Sequence, residues 1–484
     1  MPGPHLDRRH LVGGLAGASL LALGRPAGAQ SATSAIDRPG PILIRGAIIL
    51  TMDPALGTLP QGDILVRDGA IAAIERRIEA ADARVVDATG CIALPGFVNA
   101  HIHLAQAILR GMSGDHTLAE YFRVVVARYS PRLTPEDVSV SDYAGALEQL
   151  DAGTTTIFDW SREALTPSHA DAALDAMQRS GIRAVFGYGL TGPGQGGDAK
   201  RADILRLRGR FPSDDSRVRL GIALRGPDTS PMTEAEDDLR FARELGLPHA
   251  FHVGVQLYSQ RTPRGVARLV EQGLIGPLAN LVHANDLDAD EYRMVGGVGG
   301  QLCVTPEVEM MMGHGQPATG RALGAGIRPA LGTDIATGVS GDMFTQIRSA
   351  LSAQRLSDNL AAAAAGKPLE RVSLTTRQVL EAATIDGARA LGLEARIGSL
   401  APGKRADLIL VRADGLATAP AHDPVSTIVL QASTASVDTV VVDGEVVKSG
   451  GRLVGRDAGS AVAELSERAR GLMARAGAAS GAAR

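Results

Sequence analysis

The sequence predicts an α/β protein: a distorted TIM-type (β/α)8 barrel with a composite β-sandwich formed from its N- and C-terminal segments. Three observations lead there. After Gly96, short apolar strands alternate with helical stretches at intervals of roughly 30 to 45 residues, the spacing that βα units require. Eight such strands follow one another, the number that closes a parallel barrel. Stretches of β character without helical periodicity flank them on both sides. The 484 residues, 45% apolar and 21% charged, can bury a large core, which excludes a disulfide-knit miniprotein and a disordered tail.

Residues 1–29 read as a signal peptide of the twin-arginine type, with a Sec signal or an uncleaved N-terminal anchor as the alternative. Arg8-Arg9-His10 precede an apolar stretch over 11–23, which ends in small residues around Ala27-Gly28-Ala29. That stretch is shorter than the roughly 20 residues a stable bilayer crossing needs, so cleavage near Ala29 is expected. The mature protein is then exported to the periplasm or the medium, with no stable membrane anchor after processing. The first part of the β-sandwich is expected over 41–95, with strands at 42–50, 63–67, 70–75 and 84–87 separated by Gly and Asp turns.

The barrel is expected over 96–395. Its inner strands are placed at 96–100, 154–158, 183–188, 219–224, 249–253, 279–283, 301–305 and 328–332. Apolar residues at three- and four-residue spacing mark helices over 234–245 and 375–390, and Thr134-Pro135-Glu136 is a helix start. The second part of the sandwich, 396–455, holds Gly403-Lys404-Arg405-Ala406-Asp407, a strand over 408–411, and a strand over 437–442 before the hairpin turn Asp443-Gly444. The Ala- and Arg-rich tail, 456–484, is expected as a surface helix that frays.

Composition limits the partners. Forty-nine basic and 53 acidic side chains leave a formal charge of -4, without the cationic field of a nucleic-acid binder. Aromatic residues make up 3% of the chain, too few for base-stacking platforms. Cys91 and Cys303 lie far apart in apolar runs, so two buried free thiols are expected and no cysteine-based zinc site. The eleven histidines remain as the informative minority.

His101 and His103, in Pro95-Gly96-Phe97-Val98-Asn99-Ala100-His101-Ile102-His103-Leu104, stand at i and i+2 on the first barrel strand and so face the same way. Both imidazoles can point to one metal ion from the C-terminal end of the strand, where barrel enzymes place their sites. A pair of satisfied polar histidines is the alternative, but further ligand types recur at strand ends. His252 ends the fifth strand, His283 the sixth, and Asp334 follows the eighth. Imidazoles with one carboxylate suit Zn(II), with Fe(II), Mn(II) and Co(II) as alternatives.

These motifs resemble the amidohydrolase superfamily, in the branch of cytosine, adenosine and triazine deaminases and chlorohydrolases. The resemblance extends from Ile42 to Leu453. It implies that His101, His103, His252 and Asp334 bind one metal, that Asp334 also takes a proton from the water, and that His283 orients and polarises it. Leu224-Arg225-Gly226-Pro227 ends the fourth strand without a lysine, which argues against the carbamate-bridged two-metal variant. The resemblance further implies a homodimer. One position departs from the branch. Its deaminases usually carry a glutamate three residues after the fifth-strand histidine, to protonate the substrate ring; here that position is Val255. Glu307, Glu309 and His314 in the loop after the seventh strand are candidate replacements and substrate contacts. His116 and Trp160 are further substrate-contact candidates, the first in the loop after the first strand and the second at the end of the second.

The expected function is metal-dependent hydrolysis of a non-peptide carbon–nitrogen bond, of amide, carbamate or urea type, in a small molecule. The rival within the enzyme class is an aminohydrolase or dehalogenase of an N-heteroaromatic ring. Outside hydrolysis stand an isomerase or lyase on the same metal framework and an exported binding protein on a degenerate barrel. Low charge near the motifs suggests a neutral or weakly polar substrate, with Arg110, Arg123 and Arg225 as candidate receptors for an anionic group.

Overall fold

The computed structural model describes residues 40–190, 197–211, 216–255 and 262–481, so the signal reading over 1–29 lies outside the described residues. Strands β1 (Ile42–Leu50), β2 (Thr58–Arg67), β3 (Ala70–Glu75), β4 (Arg84–Asp87) and β5 (Cys91–Pro95) open the chain. The β character then returns late, in β14 (Leu408–Arg412), β15 (Val437–Val442), β16 (Glu445–Ser449) and β17 (Arg452–Leu453). Together these form one mixed nine-stranded sheet in the order β17-β16-β15-β14-β5-β1-β2-β3, with β4 also on β1. Its two chain segments meet where β14 pairs antiparallel with β5, Ile409 opposite Leu94. β1 turns between neighbours: Ile42 to Ile44 face β4, Ile48 and Ile49 face β5, and register shifts lie between them.

Between the two segments lie β6 (Phe97–Ile102), β7 (Thr154–Ser161), β8 (Arg183–Gly189), β9 (Val218–Ala223), β10 (His249–Val253), β11 (Ala279–His283), β12 (Gln301–Val304) and β13 (Ala330–Leu331). All eight are parallel and neighbour one another in sequence order. Val98, Phe158, Val185, Ala223, Ala250, Val282, Cys303 and Ala330, one from each strand, belong to a single buried cluster. The shortage of aromatics is met by small and β-branched side chains, as close packing inside a narrow barrel allows.

Closure takes place at the functional end. Asp334 N donates to His101 O (3.0 Å) and His103 N donates to Asp334 O (2.8 Å), joining the end of the first strand to the segment after the eighth. Asn99 reinforces the seam: its Nδ2 donates to Thr333 Oγ1 (2.8 Å) and Gln149 Oε1 (3.0 Å), and its Oδ1 accepts from Thr333 N (3.1 Å). Gly332 permits the approach, because a Cβ there would stand 2.7 Å from His101 O.

Three segments differ from the sequence expectation. The stretch 375–390 is two helices, Thr376–Ala382 and Ile385–Ala390. The segment after the seventh strand, expected as a loop, is the helix Pro306–Met312, started by a proline in its first turn. The tail forms the helix Ala458–Gly481 and is docked: Leu472 and Ala476 are buried, and Arg475 pairs with Asp137 of the helix Pro135–Asp151. No helix among the described residues is long and apolar enough to cross a membrane.

Candidate metal centre

His101 lies in β6 and His103 just beyond it, so the pleat sends both rings to one side. His252 comes from β10, His283 from the last position of β11 and Asp334 from the turn after β13. One donor atom from each of His101, His252, His283 and Asp334 falls within 4.8 Å of the others, and all four residues are buried. His103 joins them, its Nε2 3.4 Å from Asp334 Oδ1. His101 Nε2 stands 3.1 Å from Asp334 Oδ1 and 3.2 Å from His252 Nε2.

In two of the imidazoles the partner of the outer ring atom shows which nitrogen is offered. His103 Nδ1 donates to Trp160 O (2.9 Å), and His283 Nδ1 is held by Thr305 Oγ1 (3.0 Å) and Glu309 Oε1 (3.2 Å). With the proton on Nδ1, Nε2 presents its lone pair to the centre. Burial pushes His101 and His252 below their usual range, and it pushes His103 down to about 3, so these rings are neutral. Burial acts against the charge of Asp334, but its hydrogen bond with His101 and the neighbouring imidazoles outweigh it, and the carboxylate stays ionised. Several neutral imidazole nitrogens and one carboxylate oxygen converge here within reach of a common point, as the donors of a metal site do. The donor set therefore fits one divalent ion of borderline softness.

The other candidate residues divide. His314 lines the pocket over this cluster, with both ring nitrogens buried and without hydrogen-bond partners, edge-on to His283 at 4.8 Å between centroids. Glu309 is buried behind His283, where besides the imidazole it accepts from Thr305 N (2.8 Å). Glu307 turns away and accepts from Gln346 Nε2 (2.8 Å) and Ser340 Oγ (3.3 Å). Trp160 packs behind His103 and His252, at ring-centroid distances of 5.3 and 4.8 Å, and is 1% exposed. His116 lies half-buried in its loop, outside the pocket lining. Val255 is buried in the apolar core. Of the three consecutive methionines only Met312 lines the pocket; Met310 and Met311 are exposed.

Two polar pocket residues were not singled out from the sequence as substrate contacts, although the first lies in the loop after the first strand that resembles the family's substrate-capping region. Tyr121 accepts from Gln106 Nε2 (2.7 Å), and burial raises its phenol above the usual range, so its O–H remains a donor. Arg162 lies two residues beyond Trp160 and therefore faces the same side of the strand end, a signal that the i, i+2 rule could have supplied.

The amidohydrolase family profile matches residues 92–447. The 5-methylthioadenosine/S-adenosylhomocysteine deaminase of Desulforudis audaxviator is 30% identical over 446 residues, covering 89% of this chain and 99% of its own. The 5'-deoxyadenosine deaminase of Methanosarcina acetivorans is 30% identical over 452 residues, covering 90% and 99%. An adenosine deaminase structure from Xanthomonas campestris with bound zinc superimposes with a TM-score of 0.78 at 26% identity, covering 90% of this chain and 98% of its own. A mutant atrazine chlorohydrolase of Arthrobacter aurescens TC1, complexed with zinc and atraton, gives 0.78 at 25% identity, covering 88% and 100%. With the barrel, the strand-end ligands and these relatives in agreement, the chain belongs to the amidohydrolase family and is a hydrolase of carbon–nitrogen bonds other than peptide bonds.

Proposed function

We propose that the protein hydrolyses an amide, carbamate or urea bond of a small molecule in a one-metal site, with zinc as the ion. One observation carries this reading: among the described residues lining the pocket, Asp334 is the sole carboxylate, and Val255 stands where a ring-protonating glutamate would be needed. His101, His103, His252 and Asp334 would hold the ion. An ion held there would supply hydroxide at neutral pH, since a divalent metal can lower the pKa of its water from about 15.7 toward 7.

The side chains supply the rest. Asp334 Oδ1 is engaged by His101, whereas Oδ2 faces His283 Nε2 at 3.9 Å, beyond hydrogen-bond reach. Asp334 Oδ2 takes the proton of the attacking water and passes it to the departing nitrogen. His283 Nε2, its ring fixed from behind by Glu309, accepts a hydrogen bond from that water and orients it. Tyr121 and His314 are the polar groups available to the substrate carbonyl oxygen. An acyl nitrogen needs a proton only where the bond breaks, next to Asp334. A heteroaromatic ring needs one on a ring nitrogen as well, and valine has none to give.

The second reading, an aminohydrolase or dehalogenase of an N-heteroaromatic ring, is favoured by the names of the 30% identical relatives. Zinc-loaded protein screened for amine and ammonia release separates the two. Turnover of amides, carbamates or ureas, with adenosine-type and halogenated azine substrates inert, supports the first reading; the reverse pattern replaces it with the second. Export by residues 1–29 belongs to the same proposal. A mature periplasmic protein beginning near residue 30 supports it, and one beginning at Met1 contradicts it.

A further inference from the structure

The metal pocket contains an unpaired cation. Arg162 lines it beside His103, His252 and Asp334, at the end of β7. Its guanidinium lies over two aromatic rings, 5.3 Å from the centroid of Trp160 and 5.9 Å from that of Phe122. It makes no ion pair among the described residues, and its buried Nε has no hydrogen-bond partner. Glu163, next in the chain, is buried and accepts from Ser130 Oγ at 2.9 Å; it feels the charge of Arg162 without forming an ion pair with it.

The arginines singled out from the sequence behave otherwise. Arg110 pairs with Glu148 (2.9 Å), Arg225 with Asp238 (2.8 Å) and Arg123 with Glu120 (3.6 Å). The side chain of Arg162 is half-buried: Nε is enclosed, while the terminal nitrogens are not among the buried atoms and are open to a ligand. The one carboxylate of the pocket, Asp334, is committed to the imidazole cluster, and a bound divalent ion adds positive charge of its own. The pocket as a whole is therefore short of negative charge. The two rings hold the guanidinium at the strand end, presenting a planar fork of donors suited to a carboxylate.

We infer that Arg162 is a specificity-determining residue that anchors a carboxylate carried by the substrate, at the wall of the same pocket. The inference rests on the hydrolase reading of the pocket and narrows its substrates to acidic amides, carbamates or ureas. Phosphate can also meet a guanidinium with two oxygens and so serves as the competing ligand in the test; the commitment is to a carboxylate.

Trp160 is the one tryptophan of the chain and touches Arg162, so its emission reports on this site without any turnover. Zinc-loaded full-length protein is titrated with glutarate, with its neutral counterpart glutaramide and with inorganic phosphate. The expected result is saturable binding of glutarate, at least about tenfold tighter than glutaramide or phosphate. Arg162→Gln should weaken glutarate by about tenfold to a hundredfold, and Arg162→Lys should recover part of the loss. Equal affinity for glutarate and glutaramide, preference for phosphate, or unchanged glutarate affinity in Arg162→Gln would each overturn the inference. Because the ion itself can take a carboxylate, the three-ligand comparison is repeated on Arg162→Gln and Arg162→Lys, and a preference for glutarate over glutaramide that persists at full strength in either folded variant would overturn the inference. Glutarate binding without turnover of any amide or urea removes the hydrolase reading alone; turnover of neutral ureas without glutarate binding removes this inference alone.

Discussion

Asp334 and His283 adopt left-handed backbone conformations, with φ of 64° and 73°, a region where side chains bearing a Cβ are uncommon and strained. The strain is held at Asp334 by the hydrogen bonds to His101 and His103, which also bring the carboxylate onto the imidazoles. Asp334→Asn keeps those backbone bonds but cannot accept the proton of the water. It should retain the circular dichroism of the wild type and lose about 10²- to 10⁴-fold in turnover. Glu309 acts one step further out. Glu309→Gln should cost about 10- to 100-fold in kcat with little change in KM, since it positions His283 without touching substrate. A residue away from the metal gives a pH test. Burial holds the imidazole of His249 down at about 4 against 6.5 when exposed. The unfolded chain takes up that proton first as pH falls, so about 3 kcal/mol of stability is present above pH 6.5 and is lost by pH 4. Urea midpoints at pH 7 and pH 4.5 should fall further apart for the wild type than for His249→Gln.

At the scale of elements, the join between barrel and composite sheet rests on a buried ion cluster. Arg183 of β8 donates through Nε to Asp407 Oδ2 (2.6 Å), and through Nη2 to Asp407 Oδ1 (3.0 Å) and Asp443 Oδ1 (2.8 Å). Burial works against its charge, but the two carboxylates more than compensate and hold the guanidinium protonated. Arg183→Ala leaves Asp407 buried without its partner and should destabilise the protein by about 3–5 kcal/mol in chemical denaturation. Element by element, the strands were legible where turn residues bracket apolar runs: β1, β3, β4, β10, β11 and β15 begin and end where the sequence places them. Less legible were the partners in the sheets. Asp407 and Asp443 read as turn residues, and nothing local in the sequence signals that they meet a strand more than two hundred positions away. The helix Pro306–Met312 was hidden by its three methionines and two glutamates, which lack helical amphipathicity. Its fold sends Glu309 inward and Glu307 to Ser340 and Gln346, a division that only packing reveals.

Across the whole molecule, strand order alone brings the ligands together. In a closed parallel barrel with strands in sequence order, residues ending the first, fifth, sixth and eighth strands share one mouth, and so the histidine pattern was readable before any contact was known. The position of Arg162 was readable from its i, i+2 relation to Trp160, whereas its lack of a hydrogen-bond partner at Nε is visible only in the packing. The same mouth is held rigid by the eight strands and by the seam at Asn99, which fix the positions of the converging donors. The central claim, that this mouth hydrolyses a non-peptide carbon–nitrogen bond, is tested most directly by mass spectrometry of the products formed by zinc-loaded protein in 18O-labelled water. One labelled oxygen on the carbon that loses its nitrogen is the expected result. A product without solvent oxygen on that carbon, as an isomerase or lyase would leave, would contradict it.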